Sequence, residues 1–363
     1  MPGKTQRSSN LELLRILCML LIIGDHLTGQ GGIADYTTLP SSFAFCLIGC
    51  GSRIACSVFI LIGGWFLCEQ PYKTRRPLSL WLSLWLYTVP VTLLCRLAGL
   101  DVSFGALRWA AFPASTRQLW FISDYLLLLL CVPLLNRVLR GLPRTAHRGL
   151  LAVLAVPMIL YPTLFGENGI VSDTAWMFLY EYLLAAYLRR YPENRLARLL
   201  QNRAAALALG LGLPLVNTAI RAMLETRGLT DGKAFQYVAY YRTALGALPG
   251  LLAALALFHF FKNLDLGSNR FINGLAGTTL GVYILHQVPV LRDFLWNGIF
   301  HTQAHHGSAA YTLLVIVLTF AGCAAIDTLR TRFIMQPLQR SRAFTALCAK
   351  GDALAAEIEK QSD

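Results

Sequence analysis

Charge is scarce in this 363-residue sequence: Asp, Glu, Lys and Arg make up 14% of it, against about 25% in a soluble domain. A soluble globule of this length would lack the groups needed to cover its surface. At 55% hydrophobic residues the chain is equally far from a disordered composition. No polar stretch reaches about fifty residues, the lower end of a domain, so no soluble domain is appended. There is no internal repeat and no low-complexity segment. Nine cysteines are present, but none stands in a CxxC or CxxH spacing, which argues against a zinc site or a disulfide framework. Eight lie in apolar stretches and read as free thiols packed like small hydrophobes. No metal is called for. The mean hydropathy of +0.52 instead fits an all-α polytopic membrane bundle.

Ten apolar runs are long enough, or nearly so, to cross a bilayer core of about 30 Å. They cover 11–29, 43–68, 78–98, 118–136, 149–165, 174–188, 204–220, 243–261, 272–291 and 309–329. The second is over-long and contains Gly49-Cys50-Gly51-Ser52-Arg53, where a broken or kinked element is expected. The net charge of +13 follows this division. With the N-terminus inside, 23 of the 32 Lys and Arg fall on cytoplasmic segments and 8 on outer ones, leaving Arg53 in the membrane. That asymmetry gives about ten spans with both termini cytoplasmic. The outer segment 221–242 is unusually basic, and its aromatic-rich stretch 234–241 suggests an amphipathic helix. The first span holds Arg15, Asp25 and His26 and lacks a small-residue cleavage site, so it reads as a retained helix rather than a signal peptide.

That first helix is the most informative segment. Arg15 and His26 are eleven residues apart, about three turns plus 20°, so both side chains lie on one face, separated by about 16 Å along the axis. Glu12 lies one turn before Arg15 and can pair with it. Charged groups in a span are costly unless they face a wet, protein-lined cavity. Histidine exchanges a proton near neutral pH. Asp25 points about 100° away from His26, so another element must orient the imidazole. Two readings stay open for Arg15: it meets a ligand, or it snorkels to the inner headgroups.

The spacing Arg15-x10-His26, following Asn10-Leu11-Glu12-Leu13-Leu14, resembles the signature of the acyltransferase-3 family of bacterial membrane acyltransferases. Further segments match in the same order. Residues 58–66, Val-Phe-Ile-Leu-Ile-Gly-Gly-Trp-Phe, resemble a second-span motif of the family, with Gly63 where serine is usual. Residues 73–89 resemble its basic loop and Trp/Tyr-rich third span. Leu119-Trp120-Phe121-Ile122-Ser123-Asp124-Tyr125, running on to Asn136, resembles its fourth span. Leu188-Arg189-Arg190-Tyr191, residues 279–286 and residues 326–330 complete the series. The likeness covers about residues 8–338. It is greatest to the polysaccharide O-acyltransferase branch, which often carries a second histidine where this chain has Asp25.

The resemblance implies a domain over 11–338, flanked by cytoplasmic tails 1–10 and 339–363, in the bacterial inner membrane. It implies transfer of an acyl group, usually acetyl, from cytoplasmic acyl-CoA to a sugar hydroxyl of a surface or exported glycan. The family's catalytic histidine and arginine fall on His26 and Arg15. Acetyl-CoA is then a co-substrate whose phosphates need guanidinium or ammonium groups at the inner mouth, which Arg15, Lys73, Arg75 and Arg76 supply, with Arg137, Arg140 and Arg189 nearby. His26 acts as general base or, in a second variant, as acyl carrier. Trp120, Tyr125, Tyr283 and Arg53 are oxyanion-donor candidates by location.

Asp124, His286, Trp120 and Arg53 are candidates for the acceptor site. Each has a plainer alternative: Asp124 as a paired structural carboxylate, His286 as a helix-packing hydrogen bond, Arg53 as the partner of Asp124 or Asp25. Glu181 is a mid-span carboxylate of either kind. Trp81, Trp85 and Tyr87 read as interface anchors, and His259, His301, His305 and His306 as peripheral. The alternative function class is a transporter or exporter of a small solute or glycan intermediate, since buried charges suit that too.

Overall fold

The computed structural model describes residues 8–167, 174–243 and 245–360; the basic residues Lys4 and Arg7 of the N-terminal tail lie outside them. All regular structure among the described residues is helical. Each of the ten apolar runs falls on a helix: α1 (Ser9–Gln30), α2 (Leu39–Leu67), α3 (Arg75–Leu97), α4 (Trp120–Gly141), α5 (Arg144–Phe165), α6 (Thr174–Arg190), α7 (Arg203–Thr226), α8 (Leu248–Lys262), α9 (Arg270–Gln287) and α10 (Ala309–Arg330). A further helix, α11 (Arg342–Glu359), follows.

Among the described residues, six helices are long and apolar enough to cross a membrane, or seven when the bent pair at α9 counts as one span. The bundle is thus polytopic. Helices α6 and α8, with 17 and 15 residues, fall short in length, and α1 is interrupted by Glu12, Arg15 and Asp25.

Helix α2 is the most buried of the spans, and α1 lies against it. Helix α1 packs most extensively on α2 and also touches α8, α9 and α10. Glycine allows this approach. A Cβ at Gly24 would lie 2.6 Å from Ile48 and 3.0 Å from Ile316, and one at Gly51 would lie 3.0 Å from Leu21. The break expected at 49–53 is therefore absent, and α2 runs unbroken for 29 residues. Its glycines serve close packing against α1 rather than helix termination. The chain breaks instead after α9, where it turns by 79° into the arm Pro289–Ile299. Pro289 has no N–H to continue the ladder.

Polar contacts fix the helix ends. The first four N–H and last four C=O groups of a helix have no partner within it. At the start of α1, Asn10 Nδ2 donates to the carbonyls of Phe261 (2.8 Å), Lys262 (3.2 Å) and Leu264 (3.1 Å) at the end of α8. Beside it, Ser9 Oγ donates to Asn273 Oδ1 on α9 at 2.9 Å. The aromatic stretch 234–241 forms the helix Lys233–Thr243, whose Tyr237 and Tyr241 hydroxyls donate to Leu164 and Thr163 carbonyls at the end of α5. Helix α11 is held to the bundle by Glu359–Arg140 (2.6 Å) and by the Thr74 N–H donating to Asp352 (2.6 Å).

Two other expectations need correction. Tyr87 is buried, its hydroxyl bonded to Asp327 on α10, and is no interface anchor; Trp81 and Trp85 do face outward. His259 is not peripheral: it is buried beside Trp65, with Nδ1 against the Leu255 carbonyl.

Candidate active site

The end of α1 distal to Arg15 opens onto a cavity of about 430 Å³. Asp25, His26 and Gln30 of α1 line it, with Ser52, Arg53 and Cys56 of α2 opposite. Gln118 and Trp120 close a third side; Tyr283 and Gln287 of α9 close a fourth, with Arg292 beyond the bend. Gln30 and Gln287 exchange side-chain amide hydrogen bonds (3.0 and 3.4 Å), clamping α1 to α9 at the rim.

The imidazole of His26 is oriented from α9. Its Nδ1 lies 2.9 Å from His286 Nε2, and His286 Nδ1 lies 2.6 Å from the Val282 carbonyl one turn earlier. A carbonyl only accepts, so His286 Nδ1 donates to it. In the neutral ring His286 Nε2 is then the acceptor, and His26 Nδ1–H donates to it. Neutral His26 consequently carries its free lone pair on Nε2. The chain carbonyl–His–His has the logic of a carboxylate fixing a catalytic histidine's tautomer. His286 itself is fully buried and packs edge-on to Tyr283 and Trp296.

The aromatic wall is continuous. Phe121 lies between Trp120, Tyr125, Phe178 and Tyr283. Arg53 stacks over Trp120 with its guanidinium carbon 5.5 Å from the ring centre. Gly63, the departure from the usual serine, leaves room for Tyr125: a Cβ there would lie 3.1 Å from its hydroxyl oxygen.

His26, Arg53 and Trp120 thus share one cavity, with His286 directly behind His26. Asp124 is elsewhere: it is buried, paired with Arg117 at 2.9 Å and bonded by Thr174, so Arg53 is not its partner. Arg15 sits down the shaft of α1, paired with Glu12 at 3.0 Å and stacked over Phe59. Lys73 and Arg75 are exposed; Arg75 donates to Gln339 at 2.7 Å and Arg76 to Gln70. Glu181 is fully buried.

Several cavity residues escape sequence reasoning. Gln30, Gln118 and Gln287 are ordinary polar residues at helix ends, and Cys56 is one thiol among nine. Arg292 does carry a signal, as an isolated base just beyond a proline. Near the other end of the bundle, Trp65 is flanked by two cations, Arg189 at 4.9 Å and Lys262 at 5.2 Å from the ring centre. Spacing alone does not bring those three together.

Chemically, the arrangement offers a half-buried imidazole, a polar cavity of small-molecule size and, farther along α1, Arg15. Residues 8–328 match the family model described as "Acyltransferase domain", the acyltransferase-3 family. No curated protein and no solved structure matches the chain.

Proposed function

The chain belongs to the acyltransferase-3 family, and from that premise we propose that it moves an acetyl group from cytoplasmic acetyl-CoA to a sugar hydroxyl of a surface or exported glycan. The ten helices then form ten spans with both termini in the cytoplasm of a bacterial inner membrane, a reading that the inner excess of Lys and Arg supports. The cavity around His26 opens on the outer side, where a glycan or lipid-linked sugar arrives. The inner mouth carries Arg15, Lys73, Arg75, Arg76, Arg189 and Lys262 for the phosphates of the polyanionic donor.

The observation that carries this reading is the Val282–His286–His26 chain ending at the cavity. Acyl transfer to an alcohol needs a base that takes the hydroxyl proton as the C–O bond forms. His26 Nε2 takes that proton, and the alkoxide oxygen attacks the thioester carbon. The C–S bond then breaks, and imidazolium returns the proton to the leaving thiolate, giving the sugar ester and CoA thiol. Tyr283, at the cavity, is the donor for the transient oxyanion. Arg15 lies about 16 Å of helix rise from His26. That separation suits a contact at the phosphate end of the pantetheine arm rather than at the reacting carbon.

The transport reading draws on the same buried charges, but one bent helix pair among the described residues lacks the paired broken helix of inverted-repeat transporters. Mass spectrometry of surface glycan from a deletion strain tests the proposal. Loss of one ester of defined mass, restored by the wild-type chain and not by His26→Ala, is expected; an unchanged glycan refutes the acceptor assignment.

A further inference from the structure

Resting on the acyl-acceptor reading of the cavity, we propose that its acceptor is an anionic sugar, with a carboxylate or phosphate close to the hydroxyl that is acylated, and that Arg53 and Arg292 recognise the anion. Among the described residues, the cavity's ionic side chains are Asp25, Arg53 and Arg292, two guanidinium groups against one carboxylate. Among the described residues, no ion pair engages Arg53 or Arg292. Arg53 is held by the face of Trp120, 5.5 Å below its guanidinium carbon, which leaves its N–H edge unspent. Arg292 is carried into the cavity by the 79° turn after α9.

A guanidinium kept at a membrane-embedded cavity without a protein partner needs an anion or water to meet its donors. Its planar fork matches a carboxylate or phosphate through two parallel hydrogen bonds. A neutral sugar satisfies neither arginine in this way.

The other walls suit the sugar ring. Trp120 and Tyr283 add aromatic side chains to the lining. Gln118 Oε1 is buried at the lining with no hydrogen-bond partner, and as an amide oxygen it accepts from a hydroxyl. At about 430 Å³ the cavity lies in the small-ligand range. An anionic sugar therefore meets a base, an unspent acceptor, aromatic side chains and the surplus guanidinium within one cavity.

Saturation-transfer NMR on the purified full chain in non-ionic detergent, without acyl-CoA, tests this directly. The probes are D-glucuronate, α-D-glucose 1-phosphate and D-glucose. Both charged sugars should bind at least about tenfold more tightly than glucose, the scale of one charge-assisted hydrogen bond. The preference should vanish in Arg53→Gln and Arg292→Gln and persist in Arg292→Lys, which keeps the charge. Tighter glucuronate binding assigns an acidic sugar residue, and tighter glucose 1-phosphate binding a phosphate-linked one. Equal binding of all three probes, binding of none, or a preference that survives both glutamine variants overturns the proposal. Charge-selective binding without thioester consumption would sink the acyltransfer reading alone; thioester consumption without charge selectivity would sink this one alone.

Discussion

His286 tests the tautomer argument most sharply, because it touches no reacting atom and acts only through His26. Replacing it with alanine removes the acceptor 2.9 Å from His26 Nδ1. The His26 proton then distributes between the two ring nitrogens, and wherever it sits on Nε2 the lone pair facing the cavity is lost. General-base catalysis contributes about 10²–10⁴ in rate, and His26→Ala forfeits all of it. One neutral hydrogen bond is worth about 0.5–1.5 kcal/mol net, and an unsatisfied buried donor costs about 1–3 kcal/mol. His286→Ala should therefore lower kcat by about tenfold to a hundredfold, with little change in the KM for acetyl-CoA. The double variant should be no slower than His26→Ala, since residues that act as a unit are not additive. His286→Gln supplies an amide oxygen able to accept from Nδ1–H and should recover part of the loss; His286→Phe, of similar bulk, should not. The assay is single-turnover release of CoA thiol from purified protein. Full kcat in His286→Ala, additive losses in the double variant, or equal rates for the Gln and Phe variants would refute the relay.

Two further outcomes follow from other parts of the bundle. Arg15→Ala should raise the apparent KM for acetyl-CoA by about tenfold with kcat near wild type, as expected for a charge-assisted phosphate contact; an unchanged KM in steady-state kinetics would leave Arg15 snorkelling at the headgroups. Gly24→Val should lower stability by about 1–3 kcal/mol through overpacking, because even a Cβ there would lie 2.6 Å from Ile48; an unchanged melting temperature in detergent would contradict the close α1–α2 approach.

The fold was legible because the membrane forces regularity. Backbone groups in lipid must be satisfied within a helix, so each long apolar run became one, and even the aromatic stretch 234–241 took its expected helix. The shared face of Arg15 and His26 followed from helical geometry alone. The break was misplaced because glycine has two uses. Gly49 and Gly51 look like helix breakers, yet they sit inside continuous α2, and Gly51 abuts Leu21. Pro289, inside the run 272–291 that reads as continuous, marks the turn. The need for a separate element to orient His26 was readable from the 100° step to Asp25, but its identity was not. His286 lies 260 residues away, and only the packing of α1 on α9 joins them. Arg292 reaches the cavity for the same reason, through a bend that periodicity does not encode. Tyr87 was misread because its aromatic neighbours Trp81 and Trp85 face outward while its own hydroxyl meets a buried carboxylate.

The central claim, that His26 Nε2 takes the acceptor proton during thioester cleavage, is tested most directly by following acetyl-CoA with purified wild-type protein and His26→Ala in detergent micelles. Wild type should consume the thioester slowly with water as surrogate acceptor, and His26→Ala, folded to the same melting temperature, should fall to the uncatalysed rate. Equal consumption by the two proteins would contradict the account.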